Sequence, residues 1–179
     1  MVRRLEIGPG DCPVSGDWDR LDAFPIPSVP LTYVAQWGNE RLPIEDCAYD
    51  VIYASHVIEH IPWYRTIDAL REAHRILSVG GTLEVWTVDF ALVVQSYLDR
   101  CWTDGWNCDG RVKNYMQSVA GRIFSYERTG QWNWHKAVFD RGYLKACLYE
   151  AGFIATMDLV VTRGHDHGAI NLGVAGLKL

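Results

Sequence analysis

The stretch from Asp50 to Val88 constrains the fold of this chain more than any other. An apolar run, DVIYAS, leads to TIDALREAHRIL and then to TLEVWTV. The outer two read as strands, the second through its alternation of apolar and polar side chains. The middle run sets Ile67, Leu70, Ala73, His74 and Leu77 at helical spacing and reads as an amphipathic helix. The glycines of SVGG are expected to stop that helix where the backbone turns left-handed. Strand, helix and strand in succession point to parallel pairing, because parallel neighbours need a crossover of this kind.

The flanking sequence extends the pattern. VRRLEIG is a short strand broken by the loop GPGDCPVSGD, and WDRLDAF and LTYVAQW are strand candidates on either side of PIPSVP. ALVVQSYLDRCW reads as a helix. So does DRGYLKACLYEAG, with Asp140 as N-cap and Gly152 beyond its end. FIATMDLVVTR and AINLGVAGLKL read as two closing strands around GHDHG, a hairpin-like turn. Residues 103–138 are the least regular, and Trp102, Trp106, Trp132 and Trp134, in or next to this stretch, are half of the eight tryptophans. The expected architecture is α/β: a mostly parallel sheet with an antiparallel C-terminal hairpin. A chain of 179 residues suits one core, so residues 1–179 are read as one domain, with 102–138 as a lid or acceptor-side insertion.

Charge narrows the function classes. The formal net charge is -5, and no Lys/Arg cluster exceeds two or three residues. A nucleic-acid groove needs concentrated positive charge, so a small-molecule partner is expected and nucleic acid is not. The five cysteines are odd in number and lack a C-x-x-C pair, which points to free thiols. No apolar stretch reaches the 18 or so residues of a membrane span, and the first residues leave no room for a signal peptide. A cytoplasmic location away from membranes is expected.

Two local features carry chemistry. In LEIGPG, Gly8 and Gly10 let a ligand approach the backbone closely, although the dinucleotide pattern G-x-G-x-x-G fails at Pro13. Asp22, at the end of the second strand candidate, stands where a carboxylate can accept two hydrogen bonds from a ribose diol. A turn aspartate is the alternative reading. The second feature is ASHVIEHIP, which contains H-x-x-E-H, a zinc-peptidase signature over His56, Glu59 and His60. That motif requires both histidines on one supported helix plus a third ligand. Here a strand runs directly into His56, and Pro62 follows His60 by two residues, so at most a short turn fits. No metal is expected, and His60 reads as a structural histidine.

Taken in order, LEIGPG, RLPIEDCAYDVIYASHVIEHI, LREAHRILSVGGTLEVWTVDF and WHKAVFDRGYLKACLYEAGF resemble the class I S-adenosylmethionine-dependent methyltransferases, specifically the small methyltransferase type 11-like proteins. The resemblance spans residues 4–155 and implies a Rossmann-like, seven-stranded fold with S-adenosyl-L-methionine as cofactor. It implies that Gly8, Pro9 and Gly10 pass under the methionine part, that Glu6 helps hold its ammonium, and that Asp22 binds the ribose. It sets Trp37 and Gly38 at the adenine, where the family often has an acidic residue in place of Gly38. Ser55 and His56 fall at the lip beside the cofactor. On the acceptor side His56, Asp89 and His135 are the candidate catalytic residues, Asp89 also reading as a helix cap and His135 as a loop pin.

The resemblance has departures. About ten residues separate LEIG from DRLDAF, too few for a full crossover helix, so the first helix is expected to be shortened or missing. A sheet face left uncovered motivates a homodimer. The implied activity is methyl transfer to a small acceptor, a sugar or sugar-containing precursor being the finer reading. A non-catalytic cofactor-binding scaffold and, behind it, a zinc hydrolase are the competing readings.

Overall fold

The computed structural model describes residues 2–100, 115–125 and 133–179. Trp102, Trp106 and Trp132 lie outside the described residues, as does much of the expected lid. Seven strands form one sheet: β1 (Arg4–Ile7), β2 (Asp19–Asp22), β3 (Tyr33–Val34), β4 (Tyr49–Ser55), β5 (Leu77–Val88), β6 (Ala155–Leu159) and β7 (Asn171–Leu177). Their spatial order is β3-β2-β1-β4-β5-β7-β6. The first five are parallel, and β7 runs antiparallel to both β5 and β6. Four helices are described: α1 (Thr66–Ile76), α2 (Phe90–Asp99), α3 (Tyr115–Phe124) and α4 (Arg141–Glu150). This is the Rossmann-like α/β architecture read from the sequence, closed by its antiparallel hairpin.

Alternation along the central strands divides the sheet into two faces. Leu5, Ile7, Ile52, Ala54, Leu83 and Val85 form one core with Ala69, Leu70, Ala73 and Ile76 of α1 and Leu144, Cys147 and Leu148 of α4. Each fully buried Leu or Ile contributes about 1.5–3 kcal/mol, so this layer carries most of the stability. Asp140 caps α4 by accepting from Tyr143 N at 2.7 Å, and Gly152 follows the helix at φ +105°.

On the opposite face the link from β1 to β2, residues 8–18, contains no helix. Its side chains do the covering instead. Val14 and Trp18 pack on Tyr53 and Trp86, and the Arg163 guanidinium lies 5.7 Å from the Trp18 ring. Arg163 is held there by Glu84. These side chains bury Tyr53 and Trp86 on that face of β4 and β5.

Three local expectations are corrected. SVGG does not cap α1: the helix ends at Ile76, and Leu77 is already extended at φ -74°, ψ 142°. The glycines lie inside β5, where the register jumps from Tyr49↔Leu77 to Val51↔Thr82, a bulge that Gly80 accommodates at φ +81°. Helix α3 lies in the stretch read as irregular, and packs Val119 with Val88, Val93 and Ile170. GHDHG is only part of a longer β6–β7 connection, residues 160–170, that includes a 3-10 turn at Gly168–Ile170. Among the described residues Cys12, Cys47 and Cys147 are free thiols, and no helix is long and apolar enough to cross a membrane.

Gly173 in β7 lies directly against Trp86, where a Cβ would meet the ring at 2.6 Å. Gly173→Ala is expected to cost about 1–3 kcal/mol, read as a lower urea midpoint at unchanged slope. Gly142→Ala, in the first turn of α4, is the matched control and should be neutral or mildly stabilising. Equal midpoints for the two variants would mean that the Trp86 ring does not abut β7.

Candidate functional site

The sheet order reverses between β1 and β4, and a crevice opens beyond their carboxyl ends, where ligands bind in open α/β sheets. Gly8 and Gly10 form its floor, with φ of +69° and +54°. A Cβ on Gly8 would strike Val57 Cγ2 at 2.3 Å, so glycine is what lets the loop lie on the turn after β4. A Cβ on Gly10 would meet nothing within 4 Å, so any side chain there would project into open space. Glu6 secures the loop from beneath. Its buried carboxylate accepts from Val14 N at 2.9 and 3.1 Å and pairs with Arg20 Nε at 3.3 Å. Burial raises the Glu6 pKa, and the Val14 and Arg20 contacts oppose that rise. These bonds tie Glu6 to the loop, and it also lines the smaller of the two clefts described next.

Two clefts meet at this loop, sharing Ile7, Gly8, Gly10 and His56. The larger, about 410 Å³, extends past Asp22 to Gln36, Trp37, Gly38 and Asn39. That volume falls within the roughly 300–1,000 Å³ of small-molecule sites. Asp22 ends β2 and is half-buried, and desolvation raises its pKa against weaker lowering by the Phe24 and Ala23 amides. A carboxylate desolvated at the mouth of a cleft gains from hydroxyl donors brought to it.

The far wall is fixed by α1. Trp37 is buried in the core and donates Nε1–H to Ala69 O at 2.7 Å, so its ring is an anchored part of the wall. Gly38 has φ +84°, and a Cβ there would meet Ile61 at 2.8 Å and Ala69 at 3.1 Å. This chain therefore has no room for an acidic side chain at that position. Arg65 reaches over to the carbonyls of Gly38 and Asn39, and Arg75 with Glu72 ties Leu42 and Ile44 to the same helix.

The smaller cleft, about 290 Å³, is lined by Glu6, Pro9, Tyr53, Ser55, His56, His165 and His167 among others. His56 joins the two clefts. It has φ +54°, and its amide donates to Trp86 O at 2.8 Å. Its Nε2 meets Asn171 Oδ1 at 2.8 Å, and since Asn171 Nδ2 donates to Asp166, Oδ1 is the acceptor and His56 Nε2 the donor. Its Nδ1 forms an ion pair with Glu59 Oε1 at 3.1 Å. Burial lowers the His56 pKa, but Glu59 and Asn171 outweigh this and the net shift is upward. Burial works to raise the Glu59 carboxyl, yet His56 beside it, with His60 and His135, holds it at about 2. With both nitrogens engaged, His56 is held in place between Glu59 and Asn171.

The remaining candidates separate. Ser55 ends β4 and lines the smaller cleft. Asp89 caps α2, accepting from Ala91 N at 3.0 Å, and lines neither cleft among the described residues. His135 sits behind the larger cleft, its Nδ1 donating to Arg122 O at 2.9 Å and its ring 5.0 Å from that of His60. The Lys136 and Ala137 amides donate to Glu59 O, which brings this segment to the end of β4. Glu59, His60 and His135 together form the metal-type donor cluster among the described residues. His167 was not among the expected site residues, because GHDHG reads as a hairpin-like turn. Its ring lies 3.9 Å from His56, and desolvation, then the charges of His56 and His165, push its pKa down to about 4. The available signal was a pair of histidines in a connection at the carboxyl end of the parallel strands.

Residues 24–85 match the type 11 methyltransferase family, described as a methyltransferase domain, a span from just beyond Asp22 to the middle of β5. No curated protein matches the sequence significantly. Among solved structures, a SAM-dependent methyltransferase of Thermotoga maritima, described as a possible histamine N-methyltransferase, is 18% identical with TM-score 0.57, covering 100% of this chain and 83% of that one. A SAM-dependent methyltransferase of Mesorhizobium loti is 14% identical with TM-score 0.59, covering 99% and 91%. The methyltransferase domain structure of the citrinin polyketide synthase is 14% identical with TM-score 0.58, and this chain spans only 46% of its length. The chain has the Rossmann-like fold of these structures, and residues 24–85, about a third of its length, are similar in sequence to the methyltransferase domain family.

Proposed function

We propose that the protein is an S-adenosylmethionine-dependent methyltransferase acting on a small molecule. The observation that carries this reading is Asp22 at the end of β2, facing the larger cleft across from the Gly8–Gly10 floor. The residues suit the cofactor. Gly10 leaves open space over the loop, Asp22 is a desolvated acceptor for a ribose diol, and Gln36 and Asn39 offer polar groups at the wall assigned to the adenine. Pro9 stiffens the floor beneath the methionine part.

Bound there, the cofactor supplies a methyl on a sulfonium, already electrophilic. The chain's own work is to align an acceptor and exclude water. Ser55, His56 and His167 border the cleft where the acceptor would lie. His167, at about 4, is neutral near pH 7 but a weak proton acceptor, so it serves as a hydrogen-bonding edge. The finer reading, a sugar-containing acceptor, draws on the exposed aromatics Trp63, Tyr64 and Trp134 beside cleft residues Pro62 and Asn133, since flat rings stack on sugar faces.

Calorimetry with S-adenosylmethionine tests the site. Asp22→Ala removes two hydrogen bonds to a charged acceptor and should weaken binding about 10- to 100-fold, while Asp89→Ala should leave it unchanged. Equal affinity of wild type and Asp22→Ala would overturn the assignment. Transfer of labelled methyl to a panel of sugars, sugar nucleotides and amines tests the activity. Cofactor binding without turnover across that panel would instead favour a scaffold.

A second variant tests the adenine wall. Gly38→Asp supplies the acid that the family resemblance implies at this place, but at positive φ and against Ile61. It is expected to cost about 1–3 kcal/mol of stability and to weaken cofactor binding. Tighter binding at undiminished stability would mean that the wall does not lie against Ile61 and Ala69.

A further inference from the structure

Glu59, His60 and His135 each bring one donor atom to a common point, all within 4.8 Å of one another. The set is not the one that H-x-x-E-H spells. His56 is turned toward Asn171, and the chain supplies His135 from the segment hydrogen-bonded to the Glu59 carbonyl. His135 Nδ1 lies 2.9 Å from Arg122 O, and His60 Nδ1 lies 3.4 Å from Trp134 O. Carbonyls at Nδ1 favour the tautomer in which Nε2 keeps its lone pair, the arrangement found around imidazole metal ligands.

A second observation points to a ligand. Glu59 is 2% exposed, and its Oε2 has no hydrogen-bond partner. Its Oε1 meets His56 only as an ion pair without a well-directed hydrogen bond. A buried carboxylate oxygen without a partner is costly and calls for a cation or a donor. Next to it lies a cavity of about 10 Å³, lined in part by Glu59, Thr87, His135 and the cationic Arg122, and Thr87 Oγ1 is also buried without a partner. That space holds one small sphere. On its other side the cluster reaches the larger cleft through His60.

We propose that Glu59, His60 and His135 bind one divalent transition-metal ion of the zinc class. A carboxylate oxygen with two imidazole nitrogens suits zinc, iron(II) or cobalt(II) better than magnesium or calcium, which favour all-oxygen shells. Three protein ligands leave a fourth position open, unlike a closed structural zinc site. Ligands about 2.0–2.2 Å from zinc in a tetrahedron stand roughly 3.4 Å apart, so binding draws the three inward by about an ångström. A buried water bonded to Glu59 and Thr87 is the competing occupant and needs no such contraction.

Titration of tag-free, chelator-treated protein with Co²⁺ reads the site directly, because a tetrahedral ion has strong visible absorption. The expected result is one Co²⁺ per chain at micromolar concentration, displaced by one equivalent of Zn²⁺. His135→Gln and Glu59→Gln should each weaken Co²⁺ binding by at least about 100-fold, beyond the 10–100-fold typical of losing a supporting group. His165→Gln, in the neighbouring histidine pair, should retain it. Failure of folded wild type to take up Co²⁺, or uptake undiminished in His135→Gln, overturns the proposal. The readout is metal absorption rather than methyl transfer, so its failure leaves the cofactor assignment standing, and failure of that assignment leaves the metal proposal standing.

Discussion

A charged pair buried at the end of the central strand holds the candidate site together. Glu59 and His56 are three residues apart on the turn after β4, and each recruits segments distant in sequence. His56 engages β7 through Asn171 and the β6–β7 connection through His167, while the Glu59 carbonyl receives the Lys136 and Ala137 amides. Replacing a buried ion pair by apolar residues of similar volume is often neutral or stabilising, so its presence is weak grounds for expecting extra stability. Removing one partner is different: it leaves the other charge stranded and costs about 3–5 kcal/mol. The residues of the pair thus sit where β7, the β6–β7 connection and the segment at Lys136 and Ala137 converge on the cleft.

Loss of the first crossover helix is compensated by the same economy. The link from β1 to β2 has no regular structure, yet Glu6, facing away from the α1/α4 core, pins Val14 and Arg20. Val14 and Trp18 then close over Tyr53 and Trp86. Four strand residues of β1 thus set both the floor of the cleft and the cover of the sheet beside it.

The sequence made the periodic elements readable because their pattern is local. The order of strands and helices, the Asp140 cap, the Gly8–Gly10 turn and the position of Asp22 at a strand end all follow from neighbours a few residues apart. What the sequence hid depends on long-range pairing. SVGG looks like a helix stop, but its carbonyls and amides find partners in β7's continuation at Lys178, so the chain bulges rather than breaks. Trp37 resembles a stacking platform until Ala69 claims its indole proton. His135 joins Glu59 only through hydrogen bonds across more than seventy residues, and no spacing rule reaches that far.

His56 shows how the two levels meet. A histidine at φ +54° costs of order 1–2 kcal/mol relative to a residue in the usual basins, a cost glycine would not incur. The backbone bond to Trp86 O offsets part of that cost, but glycine could make the same bond. What glycine cannot do is place an imidazole between Glu59 and Asn171 at the junction of two clefts. Strain retained at the carboxyl end of a central strand, next to a glycine floor, is accounted for by the side chain it delivers. The turn that looked like half of a peptidase motif is a backbone distortion serving the cleft.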